Sequence, residues 1–167
     1  MNSSIQQALA PLVGLPLHSI GRAANMVWLH FGEMREVSVR GGGTKTVGDW
    51  AIHIQCPWRI SRSGRIVIAY HDFYYSPDGG DLEDWDKLGA SQFDSAATSL
   101  RTEFEAVPPV VASVQTDDVG GFSIRFSQDY QLDVFPDTSF DSSEHWRIFQ
   151  PRVDSGHFVF PPDETVA

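Results

Sequence analysis

Ala51-Ile52-His53-Ile54-Gln55-Cys56-Pro57-Trp58-Arg59-Ile60 is matched, later in the chain, by Gln131-Leu132-Asp133-Val134 followed by Glu144-His145-Trp146-Arg147-Ile148. Each copy places an alternating apolar segment ahead of Trp-Arg-Ile. Each then passes a Ser-Gly pair, Ser63-Gly64 or Ser155-Gly156, into a second apolar run. Upstream, Leu29-His30-Phe31 stands before the first copy as Ile124-Arg125-Phe126 stands before the second. The chain reads as one domain, residues 1–167, holding an internal quasi-repeat at about 17–75 and 110–160, linked by an acidic loop and a helix over 76–109.

Alternation assigns the repeated units to half-buried strands, because side chains of a strand point to opposite faces in turn. Val27, Leu29 and Phe31 share one face against Trp28 and His30, and Ile52, Ile54 and Cys56 oppose Ala51, His53 and Gln55. In the second unit Phe122, Ile124 and Phe126 oppose Ser123 and Arg125, and Leu132 and Val134 oppose Gln131 and Asp133. One oily and one mixed face per unit predicts an α+β protein, mainly antiparallel β, in which two related β-units form a sandwich or a partly open barrel. Trp50–Ile60 and Arg65–Tyr74 read as the arms of one hairpin, and Glu36–Arg40 as a strand leading into a glycine loop. The period changes at Phe93, Ala96, Ala97, Leu100 and Phe104, which predicts one long covering helix opened by a Ser91/Asp94 capping box and ended by Pro108-Pro109. Ile5, Leu9 and Leu12 predict a short N-terminal helix.

A chain of 167 residues supports one sizeable core. No apolar run reaches the roughly 18 to 20 residues of a membrane helix, and the N-terminus lacks a secretory pattern, so the expectation is a cytoplasmic protein with no membrane contact. Cys56 is the single cysteine. It continues the apolar face of Ile52 and Ile54, the place of a buried, inert thiol. The net charge of −10 is uneven, +4 over residues 1–71 and −14 over residues 72–167. Such a surface repels nucleic acid and steers a basic partner.

The acids of the run SPDGGDLEDWDKLG, Asp78, Asp81, Glu83, Asp84 and Asp86, together with Asp137 and Asp141, are the candidate partner-binding residues. The run does not match a calcium loop. Arg59, Arg125 and Arg147 are candidate anion contacts in a groove between the two units. His30 and His53 are the candidate metal ligands, although neither HExxH nor His-x-His spacing is present, and no cofactor is expected. No GxSxG elbow or phosphate-loop pattern points to a nucleophile or a nucleotide.

The phrases GDWAIHIQCPWRI and LDVFPDTSFDSSEHWRIFQP resemble those of small uncharacterised bacterial proteins of a domain-of-unknown-function type, over about residues 10–160. In general character the chain is similar to immunity proteins of bacterial toxin systems. That resemblance implies a non-enzymatic interaction protein whose acidic second half meets a basic protein partner. A small-molecule or anion-binding module and a metal-assisted hydrolase are the alternative readings, and oligomeric state is left open.

Overall fold

The computed structural model describes residues 2–140, 143–154 and 156–162. Helix α1 (Asn2–Leu9) and a 3-10 turn at Ala10–Leu12 precede strands β1 (Leu17–Ala23) and β2 (Met26–Phe31). A small hairpin, β3 (Arg35–Ser38) and β4 (Thr44–Val47), leads to β5 (Trp50–Ile54), β6 (Trp58–Arg62) and β7 (Arg65–Ala69). After a 3-10 turn at Tyr70–Phe73 and the acidic loop comes helix α2 (Gln92–Ala106). Strands β8 (Val111–Thr116), β9 (Phe122–Phe126), β10 (Tyr130–Val134), β11 (Trp146–Phe149) and β12 (Phe158–Phe160) complete the chain. The fold is mainly antiparallel β with one long helix and one short N-terminal helix, as the periodicity predicts.

The strands form two open five-stranded sheets, ordered β1-β2-β5-β11-β12 and β7-β6-β10-β9-β8. Reversing the second order gives β8-β9-β10-β6-β7, the same arrangement with each strand replaced by its counterpart from the other half. The register agrees position by position. Leu29 faces Ile52 and Val27 faces Ile54 in one sheet; Ile124 faces Leu132 and Phe122 faces Val134 in the other. Trp146 pairs with Ile54 as Trp58 pairs with Val134. Even the irregularity in the first pair recurs, between Leu17 and Ser19 and between Val111 and Ser113.

The path of the first hairpin differs from the sequence reading. Trp50–Ile60 is not a single hairpin arm: the chain leaves the first sheet after Ile54, crosses at Gln55-Cys56-Pro57 and enters the second sheet at Trp58. Pro57 has no N–H to give a ladder, which favours a break there. The second crossover, from β10 to β11, runs the opposite way, and the two clasp each other: Gln55 N–H donates to His145 O and Phe135 N–H to Pro57 O, both at 2.8 Å. Each half therefore supplies three strands to one sheet and two to the other. The Arg65–Tyr74 arm also ends early, at Ala69, because the Asp72 carboxylate accepts the Ala69 N–H and closes a 3-10 turn.

Counterparts meet where the halves join. Leu17 N–H donates to Pro109 O at 2.8 Å and Val111 N–H to Leu15 O at 2.9 Å, on either side of the Pro16–Val110 bridge. The rings of Phe31 and Phe126 stack with centroids 6.4 Å apart. The helices are exchanged as well: Gln6 of α1 donates to Val114 O of β8, and Arg101 of α2 to Ile20 O of β1. The inner faces of both sheets and the apolar faces of both helices share one continuous core, including Ile5, Leu9, Phe93, Leu100, Phe104, Trp58 and Trp146. Both tryptophans of the Trp-Arg-Ile copies are core residues, with Trp58 2% and Trp146 0% exposed.

Candidate functional site

Since both sheets use the same backbone arrangement, chemistry is concentrated where their outer faces differ. On the second sheet, Gln131 lies between Arg125 and Ser61, and Asp133 between Ser123 and Arg59. Asp133 accepts from Ser123 Oγ at 2.6 Å, Gln131 Nε2 at 2.7 Å and Arg59 Nε at 3.1 Å. Burial opposes its charge, but these donors outweigh burial and hold the carboxyl below the usual carboxylate range. Arg59 also lies over the Phe135 ring, 5.2 Å from its centroid. Arg59, Gln131 and Asp133, with Ser61, Ser63, Asp129 and the exposed Arg125, line a cleft of about 630 Å³. Its two guanidiniums face two carboxylates, so the cleft has no net charge to attract an anion.

Arg147 does not join Arg59 and Arg125, as the sequence reading expected. It is the counterpart of Arg59 in the first sheet, beside His53 on β5. The two crossovers put the two Trp-Arg-Ile strands in different sheets. Arg147 is held by the Glu144 carboxylate and lies 3.2 Å from His157 Nδ1.

His30 and His53 share the outer face of the first sheet. His30 Nδ1 accepts the Gly48 N–H at 2.8 Å, and its ring meets Trp28 edge-on. His53 meets Phe149 edge-on. Burial, the neighbouring His53 and then Lys45 pull His30 down to about 4. Burial, with Arg147 as the main opposing charge, brings His53 to about 4 as well. Among the described residues no three His, Cys, Asp or Glu side chains converge to hold a metal. The pair is built as neutral, aromatic-packed imidazoles.

The acids of the 76–89 segment are all exposed. The loop beneath them is nonetheless fixed. Ser76 N–H donates to Gly80 O at 2.8 Å, Leu82 N–H to Tyr74 O at 3.0 Å and Gln92 N–H to Tyr75 O at 2.7 Å. Trp85 packs on Tyr74 with centroids 5.3 Å apart, and Tyr74 on Tyr70 at 6.0 Å. The Tyr70 hydroxyl is pushed up to about 12 by burial, by its hydrogen bond with Tyr74 and, to a smaller extent, by the charge of Asp137. The charge of Asp137 thus acts on the Tyr70 hydroxyl although 67 positions separate the two in sequence. Asp141 lies outside the described residues. The aromatic base was missed in the sequence reading; Tyr70 and Tyr74, four apart in AYHDFYY, were its available signal.

Comparison with known proteins adds one partial likeness. The LPS-assembly protein LptD of Ralstonia nicotianae is 31% identical over 111 residues, covering 59% of this chain and 13% of that protein. The chain thus spans about an eighth of the length of this relative, a local similarity. No family model matches the chain, and no solved structure matches it. Among the described residues no helix is long and apolar enough to cross a membrane.

Proposed function

We propose that this chain is a non-enzymatic, immunity-like interaction protein of the cytoplasm that binds a basic protein partner through Asp78, Asp81, Glu83, Asp84, Asp86 and Asp137. The observation that carries this reading is the anchoring of the acidic loop by Trp85, Tyr74 and Tyr70. A charged loop held in one shape loses less conformational entropy on binding than a free one. Exposed Tyr75 and Leu88 beside the acids supply apolar contact area, the composition of an interface with a charged rim. The partner's Lys and Arg side chains would meet carboxylates and aromatic faces together.

The test is capture of partners from the source cell by the wild-type protein and by a variant carrying Asn or Gln at Asp78, Asp81, Glu83, Asp84 and Asp86. A partner bound by the wild type and lost by the variant, with association that slows as salt rises, is the expected result. Equal recovery by both proteins, or salt-independent association, would overturn the assignment of the surface.

A further inference from the structure

Subtracting the repeat from the structure leaves the segments that only one half possesses. Between β9 and β10 the second half has a tight turn, Ser127-Gln128-Asp129, where the first half inserts residues 32–49 with the β3–β4 hairpin. Between β6 and β7 the first half has Ser63-Gly64, where the second half inserts residues 150–157. Strand order places both insertions on the same sheet, around neighbouring β5 and β11. They touch: Arg152 of one insertion is ion-paired with Asp49 of the other.

At their junction lies a cleft of about 490 Å³, lined by Val37, Ser38, Val39, Arg40, Lys45, Pro151 and Arg152. Among the described residues three cations line it and no carboxylate does, in a chain whose net charge is −10. Asp49 holds Arg152, and Glu33 is taken up by Arg35. Among the described residues Arg40 and Lys45 make no ion pair, and both are exposed. The uncompensated like charges of Arg40 and Lys45 repel one another beside the paired Arg152, and an anion shared between them relieves that repulsion. A cleft of one sign also focuses its field on a counter-charge.

The geometry points to an anion-binding site in this cleft, for a ligand carrying a multiply ionised phosphoryl group held by Arg40, Lys45 and Arg152, with the Ser38 hydroxyl as a neutral donor. Guanidinium donors and a compact ammonium together suit a tetrahedral oxyanion with several charged oxygens. The volume is in the range of small-ligand sites. This site lies apart from the acidic loop and does not depend on the proposed partner.

Calorimetric titration of the intact protein with inorganic pyrophosphate at fixed ionic strength tests it, with citrate as a polycarboxylate comparison. Expected are saturable one-to-one binding, amide shifts confined to residues 37–45 and 150–153, and weakening by about tenfold or more in the R40Q/K45Q double variant. R65Q, a charge removed from the tip of the other sheet, should bind as the wild type does. Absence of saturable binding up to roughly 10 mM, equal affinity in the double variant, or an effect of R65Q as large as that of the double variant would overturn the site. Citrate binding as tightly as pyrophosphate would overturn the phosphoryl assignment.

Discussion

Trp58 and Trp146 occupy counterpart positions and bury comparable rings, yet among the described residues only one has a partner for its indole N–H. Trp146 Nε1 donates to Gly120 O at 2.8 Å. Trp58 Nε1, buried beside the rings of Phe73 and Phe93, has no hydrogen-bond partner among the described residues. Replacing Trp146 with Phe removes a donor and orphans a carbonyl, whereas Trp58→Phe removes an N–H that was unpaired. Trp146→Phe should therefore cost about 1 kcal/mol more than Trp58→Phe in urea denaturation. Equal losses would mean that the Gly120 bond contributes nothing net. His30 gives a second expectation at this scale. Its Nδ1 accepts a buried N–H, so the neutral Nε2–H tautomer fits the site, and burial with neighbouring positive charge depresses its pKa from 6.5 to about 4. The unfolded chain binds a proton at His30 and His53 before the folded protein does. Their contribution to stability is thus complete above pH 6.5 and declines as pH falls from there towards 4. Nitrogen-detected NMR should find His30 titrating near 4 as the Nε2–H tautomer; a midpoint near 6.5 would show that the site tolerates the charge.

Helix α2 shows how a local signal becomes a tertiary joint. Ser91 and Asp94 form the capping box anticipated from their spacing, and Phe93, Ala97, Leu100 and Phe104 are buried. Asp94 does more than cap. Its carboxylate also receives Arg22 Nε and Nη2, both at 2.8 Å, and the Arg22 side chain is wholly buried. Burial opposes the charge on Asp94, but Arg22 and the Ser91 donors outweigh it and bring the carboxyl to about 2. Asp94→Asn would leave the guanidinium buried and uncompensated and should cost about 3 kcal/mol. Because the folded pKa is depressed, the carboxylate's contribution is present above about pH 4 and lost as pH falls through 2, so the wild-type advantage over Asp94→Asn should vanish across that interval. Chemical denaturation at pH 6 and pH 2.5 measures both; an undiminished advantage at the lower pH would sink the charge-based account. Leu100→Ala and Phe104→Ala should each cost about 2 to 5 kcal/mol. The cap and apolar face were legible because their determinants lie within a few residues of each other. Arg22 was not, since it comes from a strand 72 positions away. The same reason hid the convergence of Arg152 with Arg40 and Lys45.

At the scale of the molecule, the paired phrases around Trp-Arg-Ile carried the inward-facing positions of both units, since alternation fixes which side chains enter the core, but the reading of Trp50–Ile60 as one arm merged β5 with β6. They did not carry which strand joins which sheet. That is decided at Gln55-Cys56-Pro57, where the proline cannot extend the ladder, and by the reciprocal bonds between the crossovers. The exchange has an energetic consequence. With three strands from one half and two from the other in each sheet, neither half can keep a complete sheet if the other unfolds. Unfolding should then be a single cooperative transition, even though the chain is a quasi-repeat. Cys56 sits within the first crossover and reports on it directly. It is buried, and burial pushes its thiol up to about 12, so folded protein should react slowly with a thiol reagent. Exposing Cys56 requires opening the crossover and its clasp at His145, which ties the two sheets together. In mild denaturant its labelling free energy should therefore equal the global unfolding free energy from circular dichroism, and tryptophan fluorescence should follow the same midpoint. Labelling through an opening several kcal/mol cheaper than global unfolding, or two separated transitions, would show that the halves come apart independently and that the crossovers join them only as tethers.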